Sequence, residues 1–102
     1  MPNFKRIYEG LEKEYFPFNE EPDTSVITCK HVITQNKPIL FVAHEQDGWW
    51  QFLCDGEHSI SDAVLINLEQ LYHYDRTIGK VASLALGQRA YRKDINSPWV
   101  ID

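Results

Sequence analysis

Two cysteines and two of the four histidines fall into pairs that could do chemistry: Cys29-Lys30-His31, and Cys54 with His58 four residues on. Two thiols and two imidazoles make a zinc donor set. Yet C-x-H and C-x3-H are not the usual zinc spacings, and both cysteines fall on the apolar phase of alternating stretches, where small core residues pack. The expectation is therefore packing, with no metal or other cofactor. A small-ligand or metal-binding domain using Cys29, His31, Cys54 and His58 is the alternative.

Nucleophilic catalysis by a Cys–His pair needs an electropositive, exposed setting for the thiolate, and residues 38 to 75 contain no Lys or Arg. His73-Tyr74-Asp75 and Glu57-His58-Ser59 bring acid, base and hydroxyl close along the chain, but catalytic partners are assembled in space. There is no Gly-rich phosphate loop, G-x-S-x-G elbow or H-E-x-x-H helix. A non-enzymatic protein is expected.

The elements that must position these residues follow from apolar periodicity. Phe4, Ile7, Tyr8, Leu11 and Tyr15 form one stripe of a short amphipathic helix, and Pro17 and Pro22 flank a tether. From Val26 the period becomes two, with Ile27, Cys29, His31 and Ile33 on one side of a first strand and Val26, Thr28, Lys30 and Val32 on the other. Gln35-Asn36-Lys37-Pro38 reads as a turn and Ile39 to Ala43 as a second strand. Trp49 to Cys54 is a third, with Trp50, Phe52 and Cys54 on one face, so residues 26 to 54 form a meander. Ala63 to Ile66 reads as a short strand leading to Asn67 as N-cap of a helix holding Leu68, Leu71 and Tyr72. Residues 75–81 suggest a helical turn and 87–93 a late strand. The fold expected is a single α+β domain: an antiparallel sheet of four to five strands, one or two packed helices and a helical N-terminal arm. Residues 1–22 are arm and tether, and 23–102 the core.

With 102 residues the chain suits one domain, and 43% hydrophobic composition excludes a disordered or fibrous protein. Ten Lys plus Arg against fifteen Asp plus Glu give a net charge of −5, which argues against a phosphate-backbone binder. Charges occupy the N-terminus where an export signal needs an apolar run, and no stretch suits a membrane span, so a bacterial-type cytoplasm with reduced thiols is expected. The charge is also divided along the chain. Residues 38 to 75 hold seven acids and no base, and Arg76 to Lys93 hold five bases and no acid. Either the halves neutralise one another in space, or the acids form a docking surface around the third strand. The second reading makes Asp47, Asp55 and Glu57 partner-binding residues, with Trp49 as the aromatic anchor if it points outward while Trp50 points in.

The runs Cys29-Lys30-His31-Val32-Ile33, Lys37 to His44 and Asp47-Gly48-Trp49-Trp50-Gln51-Phe52-Leu53-Cys54 resemble a family of small bacterial domains of unknown function. That family is grouped with immunity protein thirty-three of polymorphic toxin systems. The resemblance extends through Asp62-Ala63-Val64, Leu68, Leu86-Gly87 and Trp99, and leaves out the N-terminal arm. It implies a non-enzymatic immunity or interaction protein that binds and neutralises a protein partner such as a toxin domain, with no catalytic residues to carry over.

Overall fold

The computed structural model describes residues 16–102, so the helix expected over residues 4 to 15 lies outside the described residues. Strands β1 (Ser25–Cys29), β2 (Phe41–His44), β3 (Trp50–Leu53), β4 (Ala63–Asn67), β5 (Arg89–Tyr91) and β6 (Val100–Ile101) form one sheet. Helices α1 (Lys30–Gln35) and α2 (Leu68–Tyr74) and the 3-10 turns Ile60–Asp62 and Arg76–Val81 complete an α+β fold. Among the described residues, no helix is long and apolar enough to cross a membrane.

The sheet differs from the expected one in having six strands and in being mixed. Its order is β4-β1-β3-β2-β5-β6, and β1 runs parallel to β3, with Ile27 opposite Gln51 and Thr28 opposite Phe52. The first strand does not reach Ile33 but stops at Cys29, and α1 takes over at Lys30. Period alone cannot separate strand from helix over six residues, and here local chemistry decides. The Thr34 hydroxyl donates to the Lys30 carbonyl four residues back (2.7 Å). Asn36 then adopts the left-handed conformation (φ 58°) in which its amide reaches the His31 carbonyl, ending the helix. The Tyr74 hydroxyl, from α2, lies 3.2 Å from the Val32 carbonyl and 3.1 Å from that of Lys37, gripping the same end. Because α1 lifts the chain over the sheet, β2 is delivered one strand further on and β3 folds back between it and β1.

One face of the sheet carries Val26, Thr28, Val42, Trp50, Phe52 and Ala90, all buried. Against it pack Leu68, Leu71 and Tyr72 of α2, Ile78 and Val81 of the following 3-10 turn, and Leu84. The helix begins as read: the Asn67 side chain accepts from the Gln70 amide at 2.8 Å. Trp50 stacks on His44 at 4.0 Å, and its indole N–H donates to Glu20 at 2.8 Å. The segment read as a tether has neither helix nor strand, but it contributes to the core. Phe18 is buried edge-on against Trp50 at 5.2 Å. Pro17 rests on Gly79, where an added Cβ would lie 2.9 Å from Pro17 Cγ and 3.0 Å from Tyr72 Cε1.

Replacing Trp50 or Phe52 with Ala should lower the free energy of urea unfolding by about 3–5 kcal/mol, because each vacates a fully enclosed volume. Trp49→Ala, at an exposed position, should stay within about 0.5 kcal/mol of the parent.

Candidate metal centre

Strands β1 and β3 run side by side in the same direction, so both leave the sheet at the same end. Cys29 is the last residue of β1 and Cys54 the first after β3. Their sulfurs lie 3.6 Å apart, and both residues are buried. His31 follows in the first turn of α1 and places Nδ1 3.9 Å from Cys54 Sγ. The chain turns at Asp55-Gly56 and returns His58, whose Nε2 lies 3.3 Å from the same sulfur. The two imidazole rings are tilted at 57° to each other with centroids 5.6 Å apart. One donor atom from each of Cys29, His31, Cys54 and His58 lies within 4.8 Å of all the others.

The three separations of 3.3–3.9 Å around Cys54 Sγ lie close to the edges of a zinc tetrahedron, and the set as a whole, within 4.8 Å, is wider than one. With Zn–S of about 2.3 Å and Zn–N of about 2.0–2.1 Å, tetrahedral angles put two sulfurs about 3.8 Å apart and a sulfur and a nitrogen about 3.5 Å apart. The apolar alternation that accounts for Cys54 as a core residue does not account for His31, which stands on a helix, or for His58, which is exposed.

The surroundings hold the two pairs together. The Gly56 amide points at Cys54 Sγ from 3.4 Å, a hydrogen bond that favours sulfur as thiolate. Burial opposes it and dominates, pushing the Cys54 thiol above its ordinary range, with Cys29 adding to the rise. Lys30, between the first two donors, reaches Asp62 at 3.2 Å and so ties α1 to the 3-10 turn that follows His58. Asp62 also accepts from the Ser59 amide at 2.9 Å. The Ser59 amide first, and Lys30 second, hold its carboxyl below the usual carboxylate range. Sequence reading missed Lys30, Gly56 and Asp62. A Gly two residues after a candidate cysteine ligand was the available signal.

The residues read as partner-binding fall into two places. Asp47 and Trp49 belong to the β2–β3 hairpin, where Asp47 Oδ1 accepts the Trp49 amide at 3.1 Å. Asp55 and Glu57 lie on the loop between Cys54 and His58, at the opposite end of β3, about 13 Å away along a four-residue strand. All four are exposed. Trp49 retains 41% of its accessible surface and Trp50 retains 1%, the outward and inward pair that an anchor requires.

Comparison with protein-family models, with curated proteins and with solved structures finds no match.

In reduced, metal-free protein, Cys29 and Cys54 should react with Ellman's reagent at pH 8 far more slowly than an unfolded control, since both are buried and the Cys54 thiol is pushed up. Raising the pH should speed the Cys54 reaction, because more of it becomes thiolate. Rates equal to the unfolded control would show that the sulfurs are not enclosed.

Proposed function

We propose that this chain is a small zinc-binding domain in which Cys29, His31, Cys54 and His58 hold one ion in a structural site. The convergence of four donor atoms within 4.8 Å, two of them from each of two separate segments, carries the reading. Four protein ligands complete a tetrahedron and leave no position for substrate, which favours a structural role over a catalytic one. The ion would clamp the loop 54–59 against the end of β1 and the start of α1, stiffening a region held otherwise by Lys30–Asp62 and short turns.

A second reading treats the domain as a binding protein whose partner is another protein, as an immunity protein binds a toxin domain. The exposure of Trp49 beside the buried Trp50 favours it, and so does the resemblance of the Cys29–Cys54 region to the immunity-associated family. The two readings are compatible, since a structural metal stabilises a surface without taking part in recognition.

Protein purified without an affinity tag should bind one equivalent of zinc. Cobalt in its place should give the visible bands of a tetrahedral site with two sulfur ligands. Cys54→Ser and His58→Ala should each weaken zinc by more than the roughly 10–100-fold typical of losing an outer-shell partner, a loss that Asp62→Asn should approach. Binding should release protons and weaken as pH falls, because the thiols must give up their protons to the metal. Cobalt bands that survive in both ligand variants would overturn the assignment.

A further inference from the structure

The helices cover one face of the sheet, and the opposite face holds a trough. At one end, Glu45, Gln46, Asp47 and Trp49 line a cleft of about 450 Å³ whose floor is Ile27 and Gln51. At the other end, a cleft of about 330 Å³ is lined by Leu53, His58, Ile60, Asp62 and Ala63, and again by Ile27 and Gln51. Ile27 and Gln51 are register partners in the parallel β1–β3 pair, so the two clefts meet over the middle of that pair. Leu65, opposite Ile27 on β4, extends the apolar floor sideways with 65% of its surface exposed, and Ile60 is 95% exposed at the far end.

Among the described residues, Glu45, Asp47 and Asp62 line the clefts and no Lys or Arg does, while Arg89 stands across from Ala43 on the same face, two strands from Gln51. If the acidic and basic stretches of the chain neutralised each other, their side chains would pair, and among the described residues one such pair forms, Asp75 with Arg92, inside the protein. Asp62 takes Lys30. Glu45 and Asp47 at one end, and Asp55 and Glu57 beside the other, have no cation within 4.0 Å among the described residues. An apolar floor with acids unpaired among the described residues and an aromatic ring at one end is complementary to an extended segment whose apolar residues follow a Lys or Arg. Such a side chain could lie over the Trp49 ring while its charge faces Asp47.

We propose that this trough is the partner-binding surface, and that its occupant is an extended segment of another protein with a Lys or Arg at the Trp49 end and apolar residues along the rest. The proposal rests on the binding-protein reading above and assigns that reading's surface and partner chemistry. Four extended residues, at about 3.3 Å each, match the length of β3 beneath the trough.

The test pans a phage-displayed random dodecapeptide library against the reduced full chain loaded with zinc. The selected peptides are then mapped by amide and indole NMR shifts. Enriched peptides should carry Lys or Arg beside three or four apolar residues, and should shift the Trp49 indole, Ile27, Gln51 and Leu53. Affinity should fall at least about tenfold in Trp49→Ala, as at a hot spot. It should fall several-fold in Asp47→Asn, and binding should tighten at low salt. Both variants lie on the surface, and unchanged dispersion of the NMR spectrum checks that they are folded. Peptides that bind elsewhere, including on residues 1–15, would overturn the trough while leaving the binding-protein reading intact. Selection of no peptide, or of peptides without basic residues, would overturn the proposal. If no peptide is selected and no partner is found for the intact chain, the binding-protein reading falls as well.

Discussion

The parallel pairing of β1 with β3 is the constraint on which the rest of this structure depends. In a simple meander β2 would lie between them, and the ends of β1 and β3 would stand about 10 Å apart, two strand spacings. Exchanging the positions of two strands halves that distance and brings Cys29 Sγ to 3.6 Å from Cys54 Sγ. The same exchange sets Ile27 beside Gln51 on the open face. The Cys–His cluster and the trough are thus two consequences of one strand order. That order in turn rests on α1, since a chain that turned tightly at Cys29 would have paired with β1 itself. Six helical residues, the left-handed Asn36 and the Tyr74 hydroxyl that grips their end decide the topology.

A second fastener secures the far side of the sheet. The Arg92 guanidinium is fully enclosed: Nε and Nη2 donate to the Ile39 carbonyl at 3.0 and 2.8 Å, Nη1 to Thr77 Oγ1 at 2.8 Å, and Nη2 to Asp75 at 3.0 Å. Its plane lies over the Trp99 ring at 4.2 Å. A buried ion pair is a poor source of stability on its own, because desolvating two charges costs several kcal/mol per ion. What Arg92 supplies is geometry. One planar group with satisfied donors fixes the entry to β2, the start of the 3-10 turn after α2 and the C-terminal tail in one arrangement. Removing Asp75 alone would leave the guanidinium buried without its counter-ion, so the pair has to be kept or lost together.

How much of this could be read from the residues depended on the range of the interaction. Alternation at Trp50, Phe52 and Cys54 correctly marked the buried face, and Asn67 marked the start of α2, because each signal is complete within a few residues. Residues 30 to 33 were misread as strand because they continue the period-two assignment from Val26 and end in the β-branched pair Val32-Ile33. The helix is turned by the Thr34–Lys30 bond and the left-handed Asn36, and its end is held by Tyr74, about forty positions later. Pairing of β1 with β3 is set by no local signal at all. Judged one segment at a time, C-x-H and C-x3-H were weak motifs, and their meaning appears only when the strand order superimposes them. Phe18 was read as part of a connector because the prolines around it exclude regular structure, although they do not exclude burial.

Among the described residues helices cover one face of the sheet, and its strands are two to five residues long. Beyond Cys54 the chain runs through exposed residues to Ile60, a loop that carries the carboxylates of Asp55 and Glu57. Hydrophobic burial cannot hold that loop, because between Cys54 and Ile60 it carries no aliphatic or aromatic side chain other than the His58 ring. Cross-linking by a metal can, since it needs donor atoms instead of apolar area and offsets the loop's ordering entropy through a few strong bonds. The donors therefore stand where the hydrophobic core ends. On the face bordering them Ile27 and Leu53 are half-buried and Leu65 is exposed, while the helix-covered side of the same strands holds the apolar core.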